Sequence, residues 1–346
     1  MDREHIYRCS GRPQLRVDVR TGVLFIRGWD GDEVRITEDT GARIWQKGDR
    51  IMVESSGSCA ARIYLPRASD VFIDGDRLDI DMGDIRGKAM LDVGGGFARI
   101  EAWEGNLDID SVGGSVHLSQ CSGQAKIDTF AGDVEIVSCR GGFSIDTCSG
   151  AVRVESSAGS VEADTGAGSV TLNIFQGLVH IDTARGNAEL RGVASRNVFV
   201  DCGGGNIIAD LPGGNPGSWQ LSTASGEIVV QAPDDISARF KFQGPKQDLA
   251  DLCLEDYWQE GELVTGSLNR GEGLVQVESG AGIITARKVP RAVLLWEELS
   301  PNDAQSREQE EETLKILSML EKGAITIAEA EQLLDALRGE VNEDER

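Results

Sequence analysis

The sequence predicts an all-β fold, a parallel β-solenoid of about 18 residues per coil, followed by a small C-terminal α-helical hairpin. Three observations lead there. An aspartate returns every eighteen residues at Asp74, Asp92, Asp110, Asp128, Asp146, Asp164 and Asp182, then at Asp201 after one extra residue. Apolar and polar residues alternate in two short runs around each aspartate, and near residue 307 the apolar spacing turns helical. A unit this short cannot bury its own apolar face, so neighbours must stack into a continuous core.

The chain divides into an N-terminal β segment and cap at 1–70, the coils at 71–289 with an insertion at about 233–274, a cap and linker at 290–306, and the hairpin at 307–340. In the first segment, LRVDVRTGVLFIRGW from Leu15 to Trp29 carries the coil grammar at Asp18 and Gly22 and is read as an early coil. EVRI and ARIYLP are further strands, with Pro66 at a strand boundary, where proline is tolerated.

The type unit is LDIDSVGGSVHLSQCSGQ, residues 107–124, followed without a gap by AKIDTFAGDVEIVSCRGG, FSIDTCSGAVRVESSAGS and VEADTGAGSVTLNIFQGL. The register runs back to Val71 and forward through Val198, giving eight consecutive coils. Positions 1 and 3 of the unit (Leu107 and Ile109) and positions 10 and 12 (Val116 and Leu118) are apolar in coil after coil, the signature of two strands facing one interior. Position 15 adds a third inward ladder, with Ile85, Trp103, Cys121, Cys139 and Phe175 among its members. Glycine recurs at position 8, as at Gly132 and Gly150, and at position 17, as at Gly123 and Gly141, where corners need positive φ or close approach to the next coil. Coils about 4.8 Å apart make a rod roughly 38 Å long.

WQLSTASGEIVVQA from Trp219 is a ninth repeat with Ser222 in the aspartate's place, and VQVESGAGIITARK from Val275 is expected to be the last coil. Open ends of such a stack are sheet edges that irregular terminal segments normally cover. VPRAVLLWEEL, with Leu294, Leu295 and Trp296, is expected to cap the final coil. In the tail, Leu314, Leu317 and Leu320 share one helical face, Lys322-Gly323 marks a stop, and Thr326 to Glu329 is a capping box opening a second helix lined by Leu333, Leu334 and Leu337. So small a hairpin cannot stand alone. Leu317, Leu320, Leu333 and Leu337 are therefore expected to form a docking face, either for a protein partner or for self-association.

These features resemble a known family. The Asp-Thr-x-x-Gly coil, the opening LRVDVRTGVLFIRGW and the closing GLVQVESGAGIITARK resemble the bacterial putative-adhesin family of domains of unknown function. The tail EETLKILSMLEKGAITIAEAEQLLDALRG resembles the SHOCT-like helical hairpin that accompanies such domains in some cell-envelope stress-response proteins. The resemblance covers nearly the whole chain. It implies a β-solenoid scaffold with a non-enzymatic interaction role, and it brings no catalytic residues.

Stacked like charges about 4.8 Å apart repel by roughly 1 kcal/mol per neighbour in water, so the aspartate ladder needs compensation. The first reading is an Asx turn, in which each carboxylate accepts backbone N–H groups of the corner ending at the position-8 glycine. Calcium between carboxylates is a second, although the GGxGxD grammar of calcium-binding β-rolls is missing. An anionic surface for a cationic partner is a third.

Net charge −24 argues against nucleic acid and anionic lipid as partners. Seven cysteines without a CxxC argue against a disulfide framework or a zinc site, and Cys121 and Cys139 are read as buried thiols. His5, His117 and His180 fall in different coils, and no HExxH, nucleophile motif or phosphate loop appears. No cofactor and no catalysis are expected. With no apolar signal region at the start and no membrane-length apolar run, the expected address is the cytoplasm, with envelope association through a partner. The function expected is a scaffold that binds through its coils and docks through its hairpin; the second reading is a self-polymerising rod, as in bactofilin-like filaments.

Overall fold

A computed structural model describes residues 3–38 and 42–290. The hairpin at 307–340, its docking leucines Leu317, Leu320, Leu333 and Leu337, and the cap residues Leu294, Leu295 and Trp296 lie outside the described residues. Among the described residues the structure is all β, one large hydrogen-bonded sheet system with a single short 3-10 turn at Ala250–Leu252. No helix among them is long and apolar enough to cross a membrane.

The sheet is built by parallel pairing of equivalent positions. Glu104–Ser111 lies between Arg86–Val93 and Ser122–Thr129, with Ile109 opposite Leu91 on one side and Ile127 on the other. The second run of each unit does the same: Ser115–Ser119 pairs with Gly96–Glu101 and with Val134–Val137. Because a strand alternates its faces, this register stacks like upon like. Leu91, Ile109, Ile127, Ile145 and Ile181 form one buried column, and Val116, Val134, Val152 and Val170 another. Each such side chain contributes about 1.5–3 kcal/mol by leaving water. The position-15 column is buried too, with Trp103, Cys121, Cys139 and Phe175 at 5% exposure or less.

The two ends depart from sequence order in the same way. Gln14–Trp29 lies between Arg50–Pro66 on one side and Asp70–Gly75 with Arg77–Gly83 on the other. The coil expected to come early is therefore second in space, and residues 50–66 form the coil beyond it. At the other end Gly273–Ser279 pairs with both Ser218–Thr223 and Ala238–Gln243. The coil expected to be last is thus next to last, because part of the insertion at 233–274 forms the layer beyond it. In both cases the chain runs outward, turns back through antiparallel strands and slips a coil in beneath.

Those antiparallel strands cover the edges. Glu33–Glu38 and Arg43–Lys47 pair antiparallel to Arg50–Pro66, and Arg3–Arg8 adds on Glu33–Glu38. Leu263–Leu268 pairs antiparallel to Ala238–Gln243, and Glu255–Glu260 adds on that. An edge cover at the C-terminal side was expected from residues after 290; within the described residues it comes from the insertion.

Candidate interaction surface

The aspartates stand where the repeat places them, directly opposite one another. Asp74, Asp92, Asp110, Asp128, Asp146, Asp164, Asp182 and Asp201 form an unbroken register. It continues past both ends of the expected ladder, through Asp18 and Glu54 on one side and Ser222 and Glu278 on the other. All eight side chains face outward, with Asp128 and Asp201 half-buried and the others exposed.

The Asx-turn reading of these carboxylates is corrected by the structure. The residue that closes the corner is the next one, at position 5. Gly114, Gly132, Gly150 and Gly226 donate their N–H groups to the side-chain oxygens of Ser111, Thr129, Thr147 and Thr223 at 2.8–3.0 Å. Position 5 shares the inner face with positions 1 and 3, and position 4 points the other way, so the aspartate's carboxylate is turned from the buried amide. Backbone capping by acidic and amide side chains does occur, at position 9. Asp133 Oδ1 accepts from the Ala151 N–H at 2.8 Å, and Asn187 and Asn206 do the same for Asn206 and Glu227 in the coils that follow.

Among the described residues, the ladder's charge is compensated at single places. Lys126 Nζ sits 2.5 Å from Asp128 Oδ2, and Ser222 Oγ donates to Asp201 Oδ1 at 2.9 Å. Partial burial, then the neighbouring Asp128 and Asp108, hold the Asp110 carboxyl above the usual carboxylate range. Partial burial, then Asp182 and Asp146, do the same to Asp164. Among the described residues, no group of three His, Cys, Asp or Glu side chains is arranged to hold a metal ion. Beside the ladder, Val112 and Phe130 at position 6 are each 63% exposed, edging the acidic strip with apolar surface.

A groove of about 840 Å³ runs along the same strand face, from Lys88 to Gln220. Amides and hydroxyls of Asn106, Gln124, Ser144, Ser160, Asn197 and Gln220 line it, and the His180 ring stacks on Phe199 at 4.8 Å. Its charged residues balance, Lys88 and Lys126 against Asp108 and Glu162, in a chain of net charge −24. The position-17 glycines run beside it. Gly141 has φ 144°, and a Cβ there would lie 1.7 Å from the Gly123 carbonyl oxygen. Only glycine brings the strands together at this bend.

A third corner carries glycine in only one coil, at Gly192 with φ 59°. Asp84, Ala102, Gln120, Ser138, Ser156 and Ile174 all adopt left-handed φ of 49–59° at position 14. Non-glycine residues rarely do so, which is why sequence reasoning placed corners only at positions 8 and 17. Cys121 and Cys139 are adjacent buried thiols, with the Cys121 N–H 3.3 Å from Cys139 Sγ. His5, His117 and His180 lie on separate strands; His117 Nδ1 is 3.0 Å from Glu135 Oε2.

The chain matches no family model and no curated protein. Among solved structures it is similar to one described as a putative adhesin from Bacteroides fragilis NCTC 9343, at 10% identity over 83% of this chain and 97% of that one, with a TM-score of 0.29. A second, also described as a putative adhesin, comes from Parabacteroides merdae ATCC 43184, at 13% identity over 82% and 95%, with a TM-score of 0.30. A third is described as a putative cell adhesion protein from Clostridium sporogenes ATCC 15579, at 9% identity over 84% and 99%, with a TM-score of 0.16.

Proposed function

We propose that this chain is a non-enzymatic interaction scaffold, a parallel β-solenoid whose long groove is the binding surface. The observation that carries this is the groove itself, charge-balanced and continuous across the coils from Lys88 to Gln220 within a strongly acidic chain. Its lining comes from the same positions of successive coils, with side chains that differ from coil to coil, so it offers an extended ligand a row of polar and apolar contacts. The same proposal gives residues 307–340, read as a SHOCT-like hairpin, the role of docking element through Leu317, Leu320, Leu333 and Leu337, with an envelope stress pathway as the setting.

The test is site-specific photo-crosslinking in cells. A crosslinking amino acid at Ser144, in the groove, should capture a macromolecule. The same residue at Ser169, exposed and outside the groove lining, should not. Equal capture at both sites, or none at Ser144, would overturn the groove as the binding surface.

A further inference from the structure

The two ends of the β unit carry opposite charge on strands that each have one strand partner among the described residues. At one end Arg43–Lys47, sequence RIWQK, pairs on one side with Arg50–Pro66 and has no second strand among the described residues. Arg43 and Lys47 are exposed, and the Arg43 guanidinium lies 4.8 Å over the Trp45 ring. At the other end Glu255–Glu260, sequence EDYWQE, pairs only with Leu263–Leu268 among the described residues. It has three acids and no base. All six residues are exposed, with Tyr257 at 56% and Trp258 at 49%.

The ends also step in opposite senses. One half of each coil is the half of the aspartate ladder. At the C-terminal end that half is extended by two strands, Leu263–Leu268 and Glu255–Glu260, and the other half stops at Lys246–Asp248. At the N-terminal end the aspartate half is extended only by Arg43–Lys47, and the other half by Glu33–Glu38 and Arg3–Arg8. A protruding half at one end therefore meets the lower half at the other. Strand direction fits as well. Two successive antiparallel pairings leave Glu255–Glu260 running with the coils, whereas Arg43–Lys47 runs against them.

We propose that a second copy of this chain docks head to tail, its Arg43–Lys47 edge pairing antiparallel with Glu255–Glu260 of the first. Antiparallel pairing sets Glu255 and Asp256 near Lys47 and Glu260 near Arg43, with Trp45 and Trp258 between. Opposite charges across a strand pair are favourable and like charges are not, so two acidic ends reject each other and orientation is selected. The irregularity between Glu255 and Trp258 confines regular pairing to a short stretch, which makes the association concentration-dependent. A head-to-tail contact uses two different surfaces, so each added copy presents a new end of each kind on which another can add.

Sedimentation velocity on the full chain tests this. The mass should rise from 37.1 kDa toward multiples as concentration increases, and fall back in about 1 M salt, where screening reaches roughly 3 Å. Glu255→Lys with Glu260→Arg should weaken association by about tenfold or more, as should Arg43→Glu with Lys47→Glu. The combined variant, with both ends reversed, should associate again. Thermal melts establish that each variant is folded, and rescue by the combined variant separates edge pairing from a folding defect. A monomer at all concentrations would overturn the proposal. So would assembly that persists in the single-end variants, which would assign self-association to another surface such as the hairpin. Neither result bears on groove capture at Ser144.

Discussion

The Gly150 N–H donates to Thr147 Oγ1 at 3.0 Å, and the threonine is 1% exposed. This single bond closes the corner between the two strands of its coil, and its equivalents recur along the stack. Replacing Thr147 by Val keeps the shape and leaves a buried amide without its partner. The expected cost is about 1–3 kcal/mol, read as a lower midpoint in urea. Thr147→Ser should retain most of the stability. A Val variant as stable as the parent would show that this bond does not hold the corner.

The bend at position 17 makes a stronger demand. At Gly141 an added Cβ would lie 1.7 Å from backbone that cannot yield, at a φ that L side chains rarely adopt. Gly141→Ala should cost about 3 kcal/mol or more. Gly95→Ala, where a Cβ meets nothing within 4 Å, should leave the melting temperature within a degree or so, about the effect of a neutral surface change. Equal melting temperatures for the two variants would refute the close-approach account.

Stability should depend on pH through the ladder. Asp110 and Asp164 have folded-state values raised by partial burial and by neighbouring carboxylates. A raised acid binds its proton more tightly in the folded state, so its unfavourable contribution is fully present at neutral pH. It is relieved as pH falls through the raised value toward the unfolded one, about 4. Asp110→Asn with Asp164→Asn should therefore melt higher than the parent at pH 7. The difference should shrink as pH approaches 4, and also in high salt. A variant that melts lower than the parent at pH 7 would mean the ladder is held by a favourable partner.

The tail is expected to act separately from the β unit. Deleting residues 305–346 should leave the thermal melt of the remaining chain unchanged and abolish capture of a protein partner through the hairpin. Capture that survives the deletion would remove Leu317, Leu320, Leu333 and Leu337 from the docking role.

The eighteen-residue spacing by itself determined the all-β class, the inward columns and the alignment of Asp110 with Asp128, because period-2 alternation repeated at a constant interval leaves one register that buries every column. Four things were decided only by the tertiary structure. The corner bond belongs to Thr147 and its equivalents, since the inner face of the strand, and not proximity in sequence, decides which oxygen reaches the amide. The left-handed corner at Ser138 and Ile174 has a single glycine equivalent, Gly192, too little to read as a period; at Ser138 the conformation goes with an N–H bond to the Glu155 carbonyl of the next coil at 3.0 Å. The slipped coils at Gln14–Trp29 and Gly273–Ser279 are invisible to spacing, since a period records which residues are equivalent but not the order in which coils are laid down. The groove beside the aspartate ladder is of the same kind: its residues are ordinary polar side chains one coil apart, and only stacking makes them a continuous surface.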